Sequence, residues 1–228
     1  MLRLLYPAHC LLCGGKGARG LDLCTGCFDE LPWNRHACPR CAAALPPDAD
    51  ADVCGACLKA PPAWDEAASP LAYGYPVDKL IQGFKFNGDL AVGRLLGELL
   101  AEFLAAGSVK PDFILPVPLH PARLKERGFN QAVELARPLK KRLKLPIRLD
   151  LCERVRATEV QSKLDAKERK KNLKDAFAVR GSVESRHVAI LDDVVTTGTT
   201  VEMLAEALRD AGAARISVWS AARASLRE

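Results

Sequence analysis

The stretch Val188-Ala-Ile-Leu-Asp-Asp-Val-Val-Thr-Thr-Gly-Thr-Thr200 carries most of the architectural information in this sequence. Its first four residues are apolar, as expected of a strand buried on both faces of a parallel sheet. Asp192 and Asp193 follow. Val194 and Val195 then lead into a hydroxyl-rich turn around Gly198, and a helix is expected over residues 199–211. Free backbone N–H groups at a helix start, joined by Thr196, Thr197, Thr199 and Thr200, make a nest for a phosphate. Gly198 permits a backbone conformation and a close approach that a Cβ would hinder. Two carboxylates behind such a nest would repel a bare polyphosphate, but they suit a sugar, because ionised Asp accepts hydrogen bonds from paired hydroxyls. A phosphate nest beside a diol clamp describes a ribose 5-phosphate site. An ordinary strand end with a helix cap at Thr199 would leave the paired acids unexplained. No Lys follows the glycine, which excludes a Walker phosphate loop.

Outward from this stretch the pattern alternates. Short apolar runs at 71–75, 113–117 and 215–219 read as strands, and 89–106 and 131–143 read as helices. Strands separated by helices predict an α/β fold with a parallel sheet flanked by helices. The charge-dense segment 154–174 lacks an apolar face until its end, and predicts a loop leading into a short helix from Asp165. The composition, 49% hydrophobic and 27% charged, is that of an ordinary soluble globular chain. No apolar run approaches the ~20 residues of a membrane span. The opening MLRLLYPAHCLLC breaks its apolar run with Arg3, Pro7 and His9, so it reads as mature protein and the expected compartment is the cytoplasm.

Eight of the nine cysteines fall in four C-x-x-C pairs: Cys10/Cys13, Cys24/Cys27, Cys38/Cys41 and Cys54/Cys57. Two pairs complete a tetrahedral zinc shell with no position left for water, so two structural Zn²⁺ ions are expected. Sequential pairing is the simplest; an interleaved pairing stays open. The pattern makes residues 1–60 a cysteine zinc module, and the run Lys59-Ala-Pro-Pro-Ala-Trp64 reads as a stiff boundary before an α/β domain at 61–228. His9 and His36 are surplus to two complete shells, and Cys152 reads as a buried apolar residue. Gly15, Gly17 and Gly20 match a dinucleotide pattern, but they lie between zinc pairs rather than between a strand and a helix.

The net charge of +5 is unevenly placed. Residues 120–175 hold 17 Lys/Arg against 8 Asp/Glu, whereas residues 1–60 hold 6 of each. The zinc module therefore lacks the basic residues a nucleic-acid finger needs. Any anion is attracted by the middle of the chain. Lys85, flanked by Phe84 and Phe86, is a candidate to reach a phosphate.

The stretch at 188–200 resembles the motif of type I phosphoribosyltransferases that binds 5-phosphoribosyl 1-pyrophosphate (PRPP). Further segments narrow the resemblance: Leu115-Pro-Val-Pro-Leu119, Arg127-Gly-Phe-Asn-Gln131, Arg154 with Gln161, and Arg169 with Asn172 and Phe177 are similar to the ComF family. That family joins an N-terminal double zinc ribbon to this transferase fold and is associated with DNA uptake. The resemblance implies that Asp192 and Asp193 hold the ribose hydroxyls and that Val194, Val195, Thr196, Thr197, Gly198, Thr199 and Thr200 form the PRPP loop. It also implies that Val117, Pro118 and Leu119 approach the pyrophosphate, that 154–174 is a flexible loop closing over the site, and that Arg169 acts in catalysis with Mg²⁺ bound alongside PRPP. Asn130 reads as a helix cap. In 6-oxopurine transferases the residue before the Thr-Gly pair is an Asp that serves the base; here it is Thr196, which argues against purine salvage.

Three functions fit this reading. The first is a phosphoribosyltransferase with an unknown small-molecule acceptor. The second is a non-catalytic PRPP or nucleotide sensor. The third is an uptake factor that touches single-stranded DNA weakly and docks a helicase through its zinc module. Residues 120–175 offer only Phe129 for base stacking, so a PRPP pocket explains their charge with fewer assumptions.

Overall fold

The computed structural model describes residues 7–49, 51–107, 110–156 and 176–225. A parallel sheet forms its centre, with strand order β1 (Glu66–Ala68), β7 (Arg215–Arg223), β6 (His187–Val195), β3 (Phe113–Pro116); β2 (Leu71–Ala72) extends the β1 edge along β7. β6 and β7 occupy the middle because their sequences are apolar on both faces: Val188 to Leu191 and Ile216 to Trp219 are all buried. Successive residues of a strand point to opposite faces, so Ala189 and Leu191 enter one core while Val188 and Ile190 enter the other.

The first core is closed by α3 (Val77–Phe86), α4 (Leu90–Ala105) and α6 (Gln131–Leu143), the second by α7 (Thr199–Asp210). α3 buries Val77, Leu80, Ile81 and Phe84, one stripe at helical spacing. α4 starts at Asp89, whose carboxylate accepts from the N–H groups of Ala91 and Val92. Where α4 crosses α6, a Cβ on Gly97 would lie 2.8 Å from the Leu135 carbonyl oxygen, so only glycine lets the helices approach this closely.

The cysteine module straddles the sheet. Its helices are α1 (Thr25–Asp29) and α2 (Gly55–Lys59), each capped by the first cysteine of a C-x-x-C pair and carrying the second. Cys10, Leu21, Leu23 and Leu31 pack into the first core, whereas Cys38, Cys41 and Cys57 pack into the second with Trp64 and Val201. One ribbon thus supports each face.

Most expected elements are present within a residue or two. The strand expected at 71–75 is only Leu71–Ala72, because Gly74 and Pro76 stop the ladder. The strands expected at 188–191 and 215–219 run on to Val195 and Arg223. α3, the short helix α5 (Pro121–Arg127) and an antiparallel pair, β4 (Cys152–Arg154) with β5 (Phe177–Val179), are additional. The helix expected from Asp165 lies outside the described residues. No helix among the described residues is long and apolar enough to cross a membrane.

Candidate functional site

β6 ends in the two acids and hands the chain to the turn before α7. Thr196, Thr197 and Thr199 are exposed, Thr200 is half-buried, and with Asp192 they line a shallow pocket of about 30 Å³. Gly198 is buried with φ of 85°, a left-handed conformation that costs glycine nothing. Thr197 Oγ1 lies 2.9 Å from Thr199 Oγ1 and accepts from the Thr199 N–H. Among the described residues, the N–H groups of Thr196, Thr197 and Gly198 meet no acceptor, and those of Thr200 and Val201 belong to the unpaired first turn of α7. The turn therefore presents a row of free donors, the property required of a phosphate nest. A larger groove of about 730 Å³, lined by Arg19, Leu90, Arg94 and Arg137 among others, contains none of the candidate residues.

The acids are neighbours near the end of one strand, and their carboxyl groups lie close enough to interact directly. Asp193 is buried; its Oδ2 pairs with Lys85 Nζ of α3 at 2.9 Å, and its Oδ1 accepts from the Val194 N–H at 2.7 Å. Lys85 is thus engaged with an acid rather than held free for a phosphate. Asp192 is half-buried, and burial followed by the nearby Asp193 charge pushes its carboxyl up to about 7. Lys85 and the Asp193 N–H oppose that rise. Arg154, at the end of β4, interacts with the Asp192 charge and holds its guanidinium 5.6 Å from the centre of the Phe177 ring. Burial lowers the pKa of Arg154, while attraction to Asp192 raises it and repulsion from Arg123 lowers it further. Two cations from two elements, Lys85 of α3 and Arg154 of β4, therefore act on the acid pair.

β3 lies beside β6 with Pro116 opposite Leu191, which brings the next turn alongside the acids. Val117 is buried and its N–H donates to the Leu191 carbonyl at 2.9 Å; Pro118 and Leu119 are half-buried beyond it. Asn130 caps α6 by accepting from Ala132 and Val133 N–H, and its amide also donates to the Val117 carbonyl at 3.0 Å. Arg169, Gln161, Asn172 and most of the loop at 154–174 lie outside the described residues; its flanks are held together by the Val155 N–H, which donates to the Ala176 carbonyl at 3.0 Å. Reading the sequence did not single out Arg223, which is 5% exposed and sits behind the turn, donating to the carbonyls of Val195 and Thr196.

The cysteines form two groups of four, Cys10/Cys13/Cys24/Cys27 and Cys38/Cys41/Cys54/Cys57, each with its sulfurs within 4.8 Å of one another. The pairing is sequential, and neither group includes a histidine. Tetrahedral Zn–S bonds of ~2.3 Å place sulfurs ~3.8 Å apart; Cys13 and Cys24 are 3.7 Å apart, and Cys41 and Cys54 are 3.6 Å apart. Backbone N–H groups aim at the sulfurs, Cys27 at Cys24 and Cys54 at Cys38. Both groups fit a closed zinc site. Cys152 stands apart, and burial pushes its thiol up to about 12.

Residues 1–58 match the double zinc ribbon domain and residues 91–225 the phosphoribosyl transferase domain. The chain is 38% identical over 226 residues to the DNA utilization protein YhgH of Escherichia coli K12, covering 96% of this chain and 99% of that one. The chain belongs to the ComF family. Another member, competence protein F of Haemophilus influenzae, is 38% identical over 230 residues, covering 96% of this chain and 98% of its own length. Competence protein ComFC of Bacillus subtilis is 28% identical over 244 residues, with 96% of each chain covered. Among solved structures, glutamine PRPP amidotransferase from B. subtilis aligns with 57% of this chain and 26% of its own at 20% identity and a TM-score of 0.42.

Proposed function

We propose that this ComF protein binds PRPP at the end of β6 and transfers its ribose 5-phosphate to a small acceptor, releasing pyrophosphate. The observation that carries the reading is the acid pair at a strand end directly before a turn whose N–H groups meet no acceptor. The 5-phosphate would take the donors at 196–200. Asp192 and Asp193 would accept from the two ribose hydroxyls, Lys85 turning from Asp193 toward the ligand's charge. Val117, Pro118 and Leu119 would flank the pyrophosphate, with Arg154 and Arg123 neutralising it as it departs and Arg169 acting from beyond the described residues. Asp192 and Asp193 offer the hard oxygen donors that Mg²⁺ accepts; an ion held there with PRPP would supply positive charge against the pyrophosphate. Residues 1–60 form the zinc module and 61–228 the transferase-like domain in this reading.

The names of the relatives, competence protein and DNA utilization protein, support a role in the use of external DNA; in this reading the zinc module is the surface for a helicase partner and the basic middle segment a weak contact for single-stranded DNA. A second reading, PRPP sensing without transfer, is favoured by Thr196, which stands where 6-oxopurine transferases carry an Asp that serves the base. Pyrophosphate release from Mg²⁺–PRPP, screened against bases and amines, separates the two. Release with one acceptor supports transfer. Saturable PRPP binding with no release under any acceptor supports sensing.

A further inference from the structure

One buried side chain joins the second cysteine group to the phosphate turn. Arg223, the last residue of β7, donates from Nε to the Cys41 carbonyl at 2.9 Å and from Nη1 to the carbonyls of Val195, at 2.8 Å, and Thr196. Its described partners are all backbone carbonyl oxygens. In a trans peptide the C=O and N–H point in opposite directions. Drawing the Val195 and Thr196 carbonyls inward therefore turns the N–H groups of Thr196 and Thr197 outward, and these are two of the donors that meet no acceptor.

A second strut runs beside the first. Trp64 Nε1 donates to the Arg40 carbonyl at 2.5 Å, inside the Cys38–Cys41 knuckle, and the Trp64 ring lies 3.4 Å from where a Cβ on Gly198 would stand. The Ala67 N–H donates to the Pro39 carbonyl of the same knuckle at 2.8 Å. The first cysteine group packs instead with Leu95 and Leu99 in the other core. Four thiolates around a divalent ion leave a net negative charge, which would balance the buried guanidinium that the carbonyls hold.

Resting on the reading of the turn as the 5-phosphate site, we propose that Arg223 is a positioning residue for that site, and that the metal-loaded second cysteine group, but not the first, holds the turn in its ligand-binding form. Coupling of this kind is reciprocal: whatever factor zinc adds to PRPP affinity, PRPP adds to zinc affinity.

The full-length protein is equilibrated in buffers of graded free zinc, fixed with and without Mg²⁺–PRPP, and occupancy is read as alkylation of Cys13 and Cys54 by peptide mass. PRPP is expected to shift half-occupancy at Cys54 to free zinc lower by about fivefold or more, with Cys13 unmoved. Arg223→Lys keeps the charge but lacks the planar fork; it should load both zinc ions yet lose the shift. If Arg223→Lys does not fold, Trp64→Phe, which removes one strut's N–H, should reduce the shift. Equal shifts at both cysteines, or no shift at Cys54 in protein that binds PRPP by calorimetry, would overturn the proposal. Protein that binds no PRPP at all overturns the phosphate-site reading and this inference with it.

Discussion

At the scale of single residues, Asp192 gives a pH prediction whose sign is fixed by its environment. Its carboxyl sits near ~3.9 in an unfolded chain and about 7 in the fold, so folding favours the neutral form. The unfolded chain thus releases its proton first, and stability falls as pH rises from ~4 through 7, then levels off. Asp192→Asn removes that loss. Its melting temperature should match the parent near pH 4 and exceed it by a growing margin up to pH 7; a constant offset across that range counts against the assignment. The acids and threonines were legible in the sequence because a strand, two carboxylates and a turn are a local pattern. Arg223 was not, since its partner Cys41 lies 182 residues away and an arginine ending an apolar strand gives no local sign of burial. Lys85 was legible only as a candidate: its place between Phe84 and Phe86 singled it out, but its pairing with Asp193 depends on how α3 packs against β6.

At the scale of elements, Gly97 tests the packing that sets α4 against α6. Alanine favours a helix over glycine by ~1 kcal/mol, whereas overpacking costs ~1–3 kcal/mol. The neighbour here is the Leu135 backbone carbonyl oxygen at 2.8 Å, which cannot swing aside like a side-chain end. Overpacking should win, and Gly97→Ala should lower the melting temperature by a few degrees in a thermal scan; a rise would mean the helices can separate freely. The long elements were readable from composition and period: α6 runs from Gln131 to Leu143 as its Asn130 cap and apolar spacing predict. α3 carried a legible stripe at Val77, Leu80, Ile81 and Phe84, but Gly74 and Pro76 before it masked the start. β4 and β5 have three residues each, too few for a period to register, and they meet only because the chain returns after a long charged segment.

At the scale of the whole molecule, each cysteine group closes a different core against the sheet. Protein prepared without chelator should therefore carry about two zinc ions per chain by elemental analysis, and stripping the metal should cost tertiary structure in both cores rather than in the ribbons alone. Intact near-ultraviolet dichroism after complete zinc removal would contradict this. The central claim is that the end of β6 is a PRPP site, and calorimetric titration with Mg²⁺–PRPP tests it most directly, comparing the parent with a variant carrying Asp192→Asn and Asp193→Asn. Each carboxylate is expected to contribute ~1.5–3 kcal/mol through a charge-assisted hydrogen bond, so the double variant should bind at least about a hundredfold more weakly while remaining folded. Equal PRPP affinity in parent and double variant, or no binding by the parent, would contradict the account.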